Sequence, residues 1–445
     1  MKVFSAKWIV PMDGTAIIED GEVVIEGDTI AEVRPVQTPA NERRDLGNAA
    51  LLPGLINSHS HLEYTVLRGL LEDVSFFPWI RALTAAKATL DDEDWITSAK
   101  LGALECLSSG ITTIADNTDS GAALDAALSA GLRGRIYQEF FCIDQRTSVD
   151  CVVGALVDKL NNLNQRKNER LHVGISPHAT YTINPAMFKA IGGDPRLCGL
   201  PISIHVAESP DETSLIRDGS GEFAAMFKRR DIDWSPAGVS PTRYVYDLGV
   251  LRPGTLLIHG VQQNEDDIAL LARSGAAVIH CPKSNAKLGA GIAPLAHWLR
   301  IDGLKIGIGT DSAVSNNSHD LFEEMRFALL LQRARCSAVD IITAFDVLQL
   351  ATMRGADALG MSDLVGSLTP GKKADLIAVD LTGLHLTSIS DPIKTIVYSA
   401  RASDVTITVI NGEVCYDCGN FPHIDAAEIR RSAKVIMDKI SAVRS

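Results

Sequence analysis

Eight apolar, strand-like runs separated by helical stretches constrain this chain more than any other feature in it. They are "LLPGLINSHSH", "GITTIADN", "GRIYQEFF", "LHVGISPH", "LPISIHVAE", "TLLIHGV", "GAAVIHCPKSN" and "LKIGIGTDS", each followed by a segment of helical composition or a longer insertion. Continuous apolar runs between helices are the pattern of parallel strands buried on both faces. Eight of them predict an α/β fold, a (β/α)8 TIM-like barrel. A doubly wound sheet is the alternative, and it gives no reason for where the polar residues fall.

Those residues cluster at one end of the runs. His59 and His61 end the first, His178 the fourth, His205 the fifth, His259 the sixth, His280 the seventh and Asp311 the eighth. Any one alone reads as a hydrogen-bonded histidine or a helix-capping aspartate. Scattered structural histidines, however, have no reason to choose the same end of successive strands, and chemistry in such barrels sits at the C-terminal strand ends. Side chains two apart on a strand share a face, so His59 and His61 can hold one metal together. His205 and Asp311 are the natural third and fourth ligands of a site suited to zinc or iron. Glu208, three residues after His205, is placed for a proton shuttle that does not bind the metal. A carboxylate at a helix start is its alternative reading.

The chain ends read differently. Short Val- and Ile-rich runs broken by Asp-Gly, Pro-Gly and Asn-Gly turns occupy the first fifty residues and recur in "GSLTPGKKADLIAVDL" and "ASDVTITVINGEVCYD". They predict a small discontinuous β-sandwich domain built from residues 1–52 and 366–420. The barrel then spans 53–365, and "AAEIRRSAKVIMDKISAV" predicts a C-terminal helix within 421–445.

A formal net charge of −13 argues against a nucleic-acid or anionic-membrane surface, and it is compatible with a small-molecule substrate, even an anionic one in a locally basic pocket. No apolar run reaches the ~18 residues of a membrane span, and "MKVFSAKWIVPMDG" lacks the pattern of a signal peptide. The eight cysteines read as reduced, mostly buried thiols, and Cys415 and Cys418 as a strand-and-turn coincidence rather than half a zinc site. The expectation is a cytoplasmic protein, with a homodimer as the default assembly.

The ordered segments "LLPGLINSHSHL", "GISPHATYT", "HVAES", "LIHG", "HCPKSNAKLGAGIAPL", "GIGTDSAVSNNSHDLFEEM" and "GSLTPGKKADLIAVD" resemble the amidohydrolase superfamily, in its cytosine/adenosine-deaminase-related branch. The resemblance implies one divalent metal, zinc ahead of iron, on His59, His61, His205 and Asp311. It implies that Glu208 moves protons between the hydrolytic water and the leaving group, that His259 positions the water and the tetrahedral centre, and that His178 contacts substrate. No lysine stands in "LHVGISPH" or "GRIYQEFF" to bridge a second metal. His280, Ser312, Asn316 and Asn317 are expected to support the pocket or the Asp311 loop, and His319 to be a solvated loop residue.

The implied reaction is hydrolytic deamination of a 6-aminopurine nucleoside with release of ammonia. Substrates in view are aminodeoxyfutalosine, methylthioadenosine and S-adenosylhomocysteine. Alternatives are deamination of a free base such as guanine or 8-oxoguanine, hydrolysis of a triazine-like or cyclic-amide substrate, and a non-catalytic scaffold. The insertions after the first and fifth runs are expected to form lids, with Phe76, Phe77, Trp79, Phe223 and Trp234 available to hold a base. "WIRALTAAKATL" lacks the glutamate that homocysteine-nucleoside deaminases carry after the lid tryptophan to bind ribose hydroxyls. Glu63, close after His61, is expected at the pocket rim in contact with substrate, with a loop hydrogen-bond acceptor as its other role. "HSHLEYTVLRG" followed by "FFPWIRAL" is closer to the aminodeoxyfutalosine deaminases, where Arg68, Arg81 or Arg146 could meet the substrate's benzoate.

Overall fold

The computed structural model describes residues 1–387 and 390–444, without the side chains of Phe76 and of residues 442–444. Two sheets organise the chain. The larger is parallel, and its strands run in sequence order: Leu55–His61, Ile111–Thr118, Arg133–Phe140, Leu171–Pro177, Ile202–Val206, Thr255–His259, Ala277–His280 and Lys305–Ile308. A short continuation, Asp311–Ser312, leaves the eighth strand and pairs in parallel with the first, Asp311 opposite Ser60 and Ser312 opposite His61. The eighth run thus joins both ends of the sheet, and the eight predicted runs become the eight strands of the barrel. Gly309 makes the crossing possible, because a Cβ there would lie 2.7 Å from the His59 backbone nitrogen.

The strand interiors explain the apolar runs. Ile56, Ala115, Tyr137, Leu256, Ile258, Ala277 and Ile279 share one buried cluster. A much larger cluster includes apolar residues of the surrounding helices. Helix starts follow their capping signals: Asp91 and Asn264 make capping boxes, and Ser209 and Ser240 cap helices whose first residue is proline.

The chain ends build the second sheet. Lys2–Ile9, Ile18–Glu26 and Thr29–Pro35 form an antiparallel meander. Ala49–Pro53 runs parallel to Lys2–Ile9 and antiparallel to Leu376–Asp380, which continues into Val405–Ile410 and Glu413–Asp417. With the short strand Arg44–Asp45, the eight strands hydrogen-bond as a single mixed sheet with its own apolar cluster of Phe4, Ile9, Val23, Ile25, Leu51, Leu376 and Ile407. Arg133 of the third barrel strand joins the two sheets. It pairs with Asp375 at 2.7 and 3.1 Å and with Asn411 at 3.1 Å, with both charged side chains buried.

The last helix, Ala426–Arg444, buries Ile429, Ala433, Ile436 and Ile440, the i, i+4, i+7, i+11 stripe of an amphipathic helix. It lies along the helix Asp92–Ser108, where Lys439 bonds the capping residue Asp91 and its partner Asp94. Of the cysteines, Cys106, Cys142, Cys281 and Cys415 are buried, whereas Cys151, Cys198, Cys336 and Cys418 are exposed, so only half fit the expectation of buried thiols. No helix among the described residues is long and apolar enough to cross a membrane.

Candidate metal centre and active site

The strand ends bring His59, His61, His205 and Asp311 together. His205 Nε2 lies 3.3 Å from His59 Nε2 and 3.4 Å from His61 Nε2. Asp311 Oδ1 lies 3.4 Å from His59 Nε2 and 3.6 Å from His61 Nε2. A tetrahedral ion with bonds of about 2.0–2.1 Å sets its ligand atoms about 3.3–3.4 Å apart, so these spacings are those of a metal cage. Burial pushes the His59 and His61 pKa values down and that of His205 to about 4, which leaves neutral imidazoles at neutral pH. Three such lone pairs converging beside a carboxylate repel one another unless a cation lies between them. The donor set fits one divalent ion.

Surrounding residues aim these ligands. His205 Nδ1 meets the His178 carbonyl at 2.7 Å, which makes Nδ1 the protonated nitrogen and leaves Nε2 for the metal. Asp311 Oδ2 accepts from Ser284 at 2.6 Å and Ser315 at 2.9 Å, so Oδ1 faces the imidazoles. Ser312 caps the short helix Ala313–Asn316, and Asn316 ties Thr310 to Glu324; these residues hold the Asp311 loop. Asp311 itself has φ +59° and His259 φ +73°. Such left-handed geometry outside glycine costs roughly 1–3 kcal/mol and recurs at functional sites.

Glu208 and His259 face each other beside the cage, with Oε1 and Nε2 3.6 Å apart. His259 Nδ1 bonds Asn285 Oδ1 at 2.8 Å, which turns an unprotonated Nε2 toward Glu208. Burial pushes the Glu208 carboxyl up to about 8, and the Asp311 charge adds to the shift. Glu212 fixes the Glu208 backbone. One Glu212 oxygen accepts from Thr180 at 2.7 Å and Ala207 N at 3.0 Å, the other from Glu208 N at 2.8 Å. Between the ligand and the acid/base candidate, Ala207 has φ +55°. Sequence reasoning missed Glu212, Asn285 and Ser284. In "HVAESPDE" Glu212 reads as an ordinary first-turn acid of a Ser-Pro helix start, and no local pattern marks the other two.

His178 sits at the fourth strand end, its ring 5.0 Å from that of His205 and 4.9 Å from that of Phe141. The two lids meet beside it. Phe223 packs on Tyr181 at 4.2 Å and on Phe77 at 4.8 Å, and Tyr181 lies 6.0 Å from His178. Trp234 packs further out, against Phe227 and Tyr244, and Trp79 is part of the large apolar core at 8% exposure. The Phe76 side chain lies outside the described residues.

Other expectations are corrected. Glu63 is not at a rim: it is buried, and its two oxygens accept from Thr118 Oγ1, Asp119 N, Ser120 N and Ser120 Oγ. Four donors at the loop after the second strand leave it the role of loop acceptor. Arg146 is exposed and paired with Asp144 and Asp231 in a surface recess of about 530 Å³ that no metal-cage residue lines. Arg68 pairs with Glu105, and Arg81 is exposed on the lid helix Phe76–Lys87. His319 is fully buried rather than solvated, between Thr65 and Thr310. His280 is buried against Trp298.

Comparison with known proteins agrees with this geometry. The chain is 33% identical to 5-methylthioadenosine/S-adenosylhomocysteine deaminase of Nitratidesulfovibrio vulgaris (strain Miyazaki F), over 98% of each chain. It is 34% identical to the protein of the same name from Symbiobacterium thermophilum, over 92% of each. A zinc-bound crystal structure of an adenosine deaminase from Xanthomonas campestris superposes with a TM-score of 0.87 at 27% identity, covering 99% of this chain and 98% of that one. Zinc-bound atrazine chlorohydrolase TrzN from Arthrobacter aurescens shares the fold, with a TM-score of 0.84 at 23% identity over 98% and 100% of the two chains. Residues 50–415 match the model of the amidohydrolase family, from the second-sheet strand Ala49–Pro53 through the whole barrel to the last strand of that sheet, and this chain belongs to that family.

Proposed function

We propose that this protein is a metal-dependent aminohydrolase that deaminates a 6-aminopurine nucleoside of the methylthioadenosine or S-adenosylhomocysteine kind. The observation that carries the reading is the pairing of a four-ligand cage with Glu208 and His259, whose facing atoms lie 3.6 Å apart. Full-length relatives at about a third identity bear that deaminase name. For the aminodeoxyfutalosine alternative, Arg68 pairs with Glu105 and Arg146 with Asp144 and Asp231, which leaves Arg81, exposed on the lid helix, as the arginine to meet a benzoate.

His59, His61, His205 and Asp311 would hold one divalent ion, zinc by preference and iron as the other candidate. Such an ion supplies Lewis acidity, which makes hydroxide available near neutral pH. Glu208 takes the proton released as the water oxygen adds to the ring carbon and delivers it to the adjacent ring nitrogen. His259, with its Nδ1 proton held by Asn285, steadies the attacking oxygen through Nε2. Glu208 then takes the remaining proton from the new hydroxyl and passes it to the amino group; the C–N bond breaks, ammonia leaves, and the C–O bond becomes a carbonyl. Burial keeps bulk water from competing for these positions.

The test is ammonia release by metal-replete protein across adenosine, methylthioadenosine, S-adenosylhomocysteine, aminodeoxyfutalosine, guanine, 8-oxoguanine and cytosine, with Glu208→Gln as the blank. Release from the first three and not from the free bases is expected. Silence on every nucleoside with metal bound would refute the reading.

A further inference from the structure

Two of the buried carboxylates among the described residues accept no hydrogen bond from the protein. One is Glu208, and the other is Glu139, at the end of the third barrel strand. Glu22, Glu63, Asp116, Glu212, Asp267, Asp311, Glu324 and Asp375 are each held by at least one donor. A buried carboxylate without donors is costly, and the fold tolerates it where a ligand supplies them.

Glu139 faces the barrel mouth. It lies two residues after Tyr137, which is in the barrel-interior cluster, and side chains two apart share a face. Its carboxylate lies within 4.8 Å of ring nitrogens of both His178 and His205. These three residues could suggest a second metal, but His205 has no nitrogen to spare: Nε2 belongs to the first cage and Nδ1 is held by the His178 carbonyl. What remains is Glu139 beside His178. The Thr182 hydroxyl oxygen accepts from Ala179 N at 3.0 Å and donates to the Ala179 carbonyl at 3.1 Å. Its contact with His178 Nδ1 at 3.0 Å engages that ring nitrogen and leaves Nε2 for a ligand. A buried carboxyl group and an imidazole stand side by side, and no donor among the described residues reaches the carboxyl.

We propose that Glu139, with His178, binds the sugar hydroxyls of the substrate and so selects ribonucleosides. The inference rests on the deaminase reading above. In an adenine substituted at N9, the ring nitrogens N1, N3 and N7 are acceptors, and the only ring-borne donor is the amino group that departs. Of the donors that methylthioadenosine and S-adenosylhomocysteine share, only the sugar hydroxyls are then left for Glu139, and a vicinal diol offers two O–H donors on adjacent carbons. Lys87, at the end of the first lid helix, donates to the Tyr64 hydroxyl at 2.6 Å, and Tyr64 stacks on His61. Its ammonium acts electrostatically on both Glu139 and His178, which places a cation at the same side of the mouth.

The experiment compares wild type and Glu139→Gln on methylthioadenosine and on its 2′-deoxy and 3′-deoxy counterparts. It records kcat, KM, metal content and calorimetric binding of the deaminated product nucleosides. Wild type should lose about 10- to 100-fold in kcat/KM when a hydroxyl is removed, the worth of one hydrogen bond to a charged group, chiefly through KM. Glu139→Gln should lose a similar factor on the parent nucleoside, discriminate far less between parent and deoxy compounds, and keep its metal. Product affinities should follow the same pattern independently of turnover. Wild-type enzyme that turns over deoxy and parent nucleosides equally would overturn the proposal without any variant. So would a variant that keeps full discrimination or loses its metal. Wild-type silence on every nucleoside would instead refute the deaminase reading, and this inference with it.

Discussion

Glu212→Gln separates holding Glu208 in place from performing the proton transfer. Glu212 receives only donors: one oxygen takes Thr180 Oγ1 and Ala207 N, the other Glu208 N. Burial pushes its pKa up to about 7, and those donors oppose the shift. A glutamine that keeps its carbonyl oxygen on Thr180 and Ala207 must turn its amide NH2 toward the Glu208 N–H. That removes one hydrogen bond to a charged group, about 1.5–3 kcal/mol, and sets donor against donor. The alternative rotamer keeps the Glu208 N–H bond and sets the amide NH2 against the Ala207 N–H instead. Ala207, at φ +55°, then has less to hold it in a conformation costing roughly 1–2 kcal/mol, and the Glu208 backbone can shift. A displacement of about 1 Å at a reacting group costs on the order of 100-fold in rate. Ammonia-release kinetics should show kcat down about 100-fold with KM changed little, because the substrate contacts remain. Metal content should hold, since His205 is oriented separately through the His178 carbonyl. A Glu212→Gln enzyme with full metal and kcat within about 3-fold of wild type would refute the positioning argument.

Asn285→Ala frees the His259 tautomer now fixed by the 2.8 Å bond, and kcat should fall by about 100-fold or more while metal binding is unaffected. Arg133→Met strands the buried Asp375 between the two sheets; it should destabilise the protein by about 3–5 kcal/mol in chemical denaturation and leave kcat/KM of the folded enzyme near wild type. His319 has its folded pKa pushed by burial from 6.5 to about 4, so between those values the unfolded chain binds a proton that the folded chain does not. Stability therefore falls as pH drops through that window and levels off below it, by about 3 kcal/mol from this residue. His319→Gln should flatten that part of the stability–pH curve, and an unchanged slope would contradict the assignment.

The barrel and the cage were legible in the sequence because both rest on periodic or positional signals. Apolar runs predict parallel strands, and a histidine at the same end of successive runs predicts convergence wherever those runs form a barrel. His59, His61, His205 and Asp311 needed only that rule. Glu63 misled because closeness to His61 in sequence does not fix direction: the chain turns after the strand and aims the carboxylate at the loop 118–120. His319 misled because its segment looks polar, while folding closes it between the end of the helix Asp92–Ser108 and the Asp311 loop. Arg146 reads as a free cation until Asp231, far along the chain, joins Asp144 beside it. Glu212, Asn285 and Glu139 could not be weighed at all. Their significance lies in which partners reach them across strands, or in Glu139 fail to, and no local spacing records that.

The most direct test of the central claim is to incubate the metal-replete protein with methylthioadenosine in heavy-oxygen water and identify the purine product by mass spectrometry. The account predicts an intact nucleoside in which the 6-amino group is replaced by one oxygen from the solvent, with one ammonia released per product and none formed by Glu208→Gln. Unchanged nucleoside, or free adenine from cleavage of the sugar bond, would contradict it.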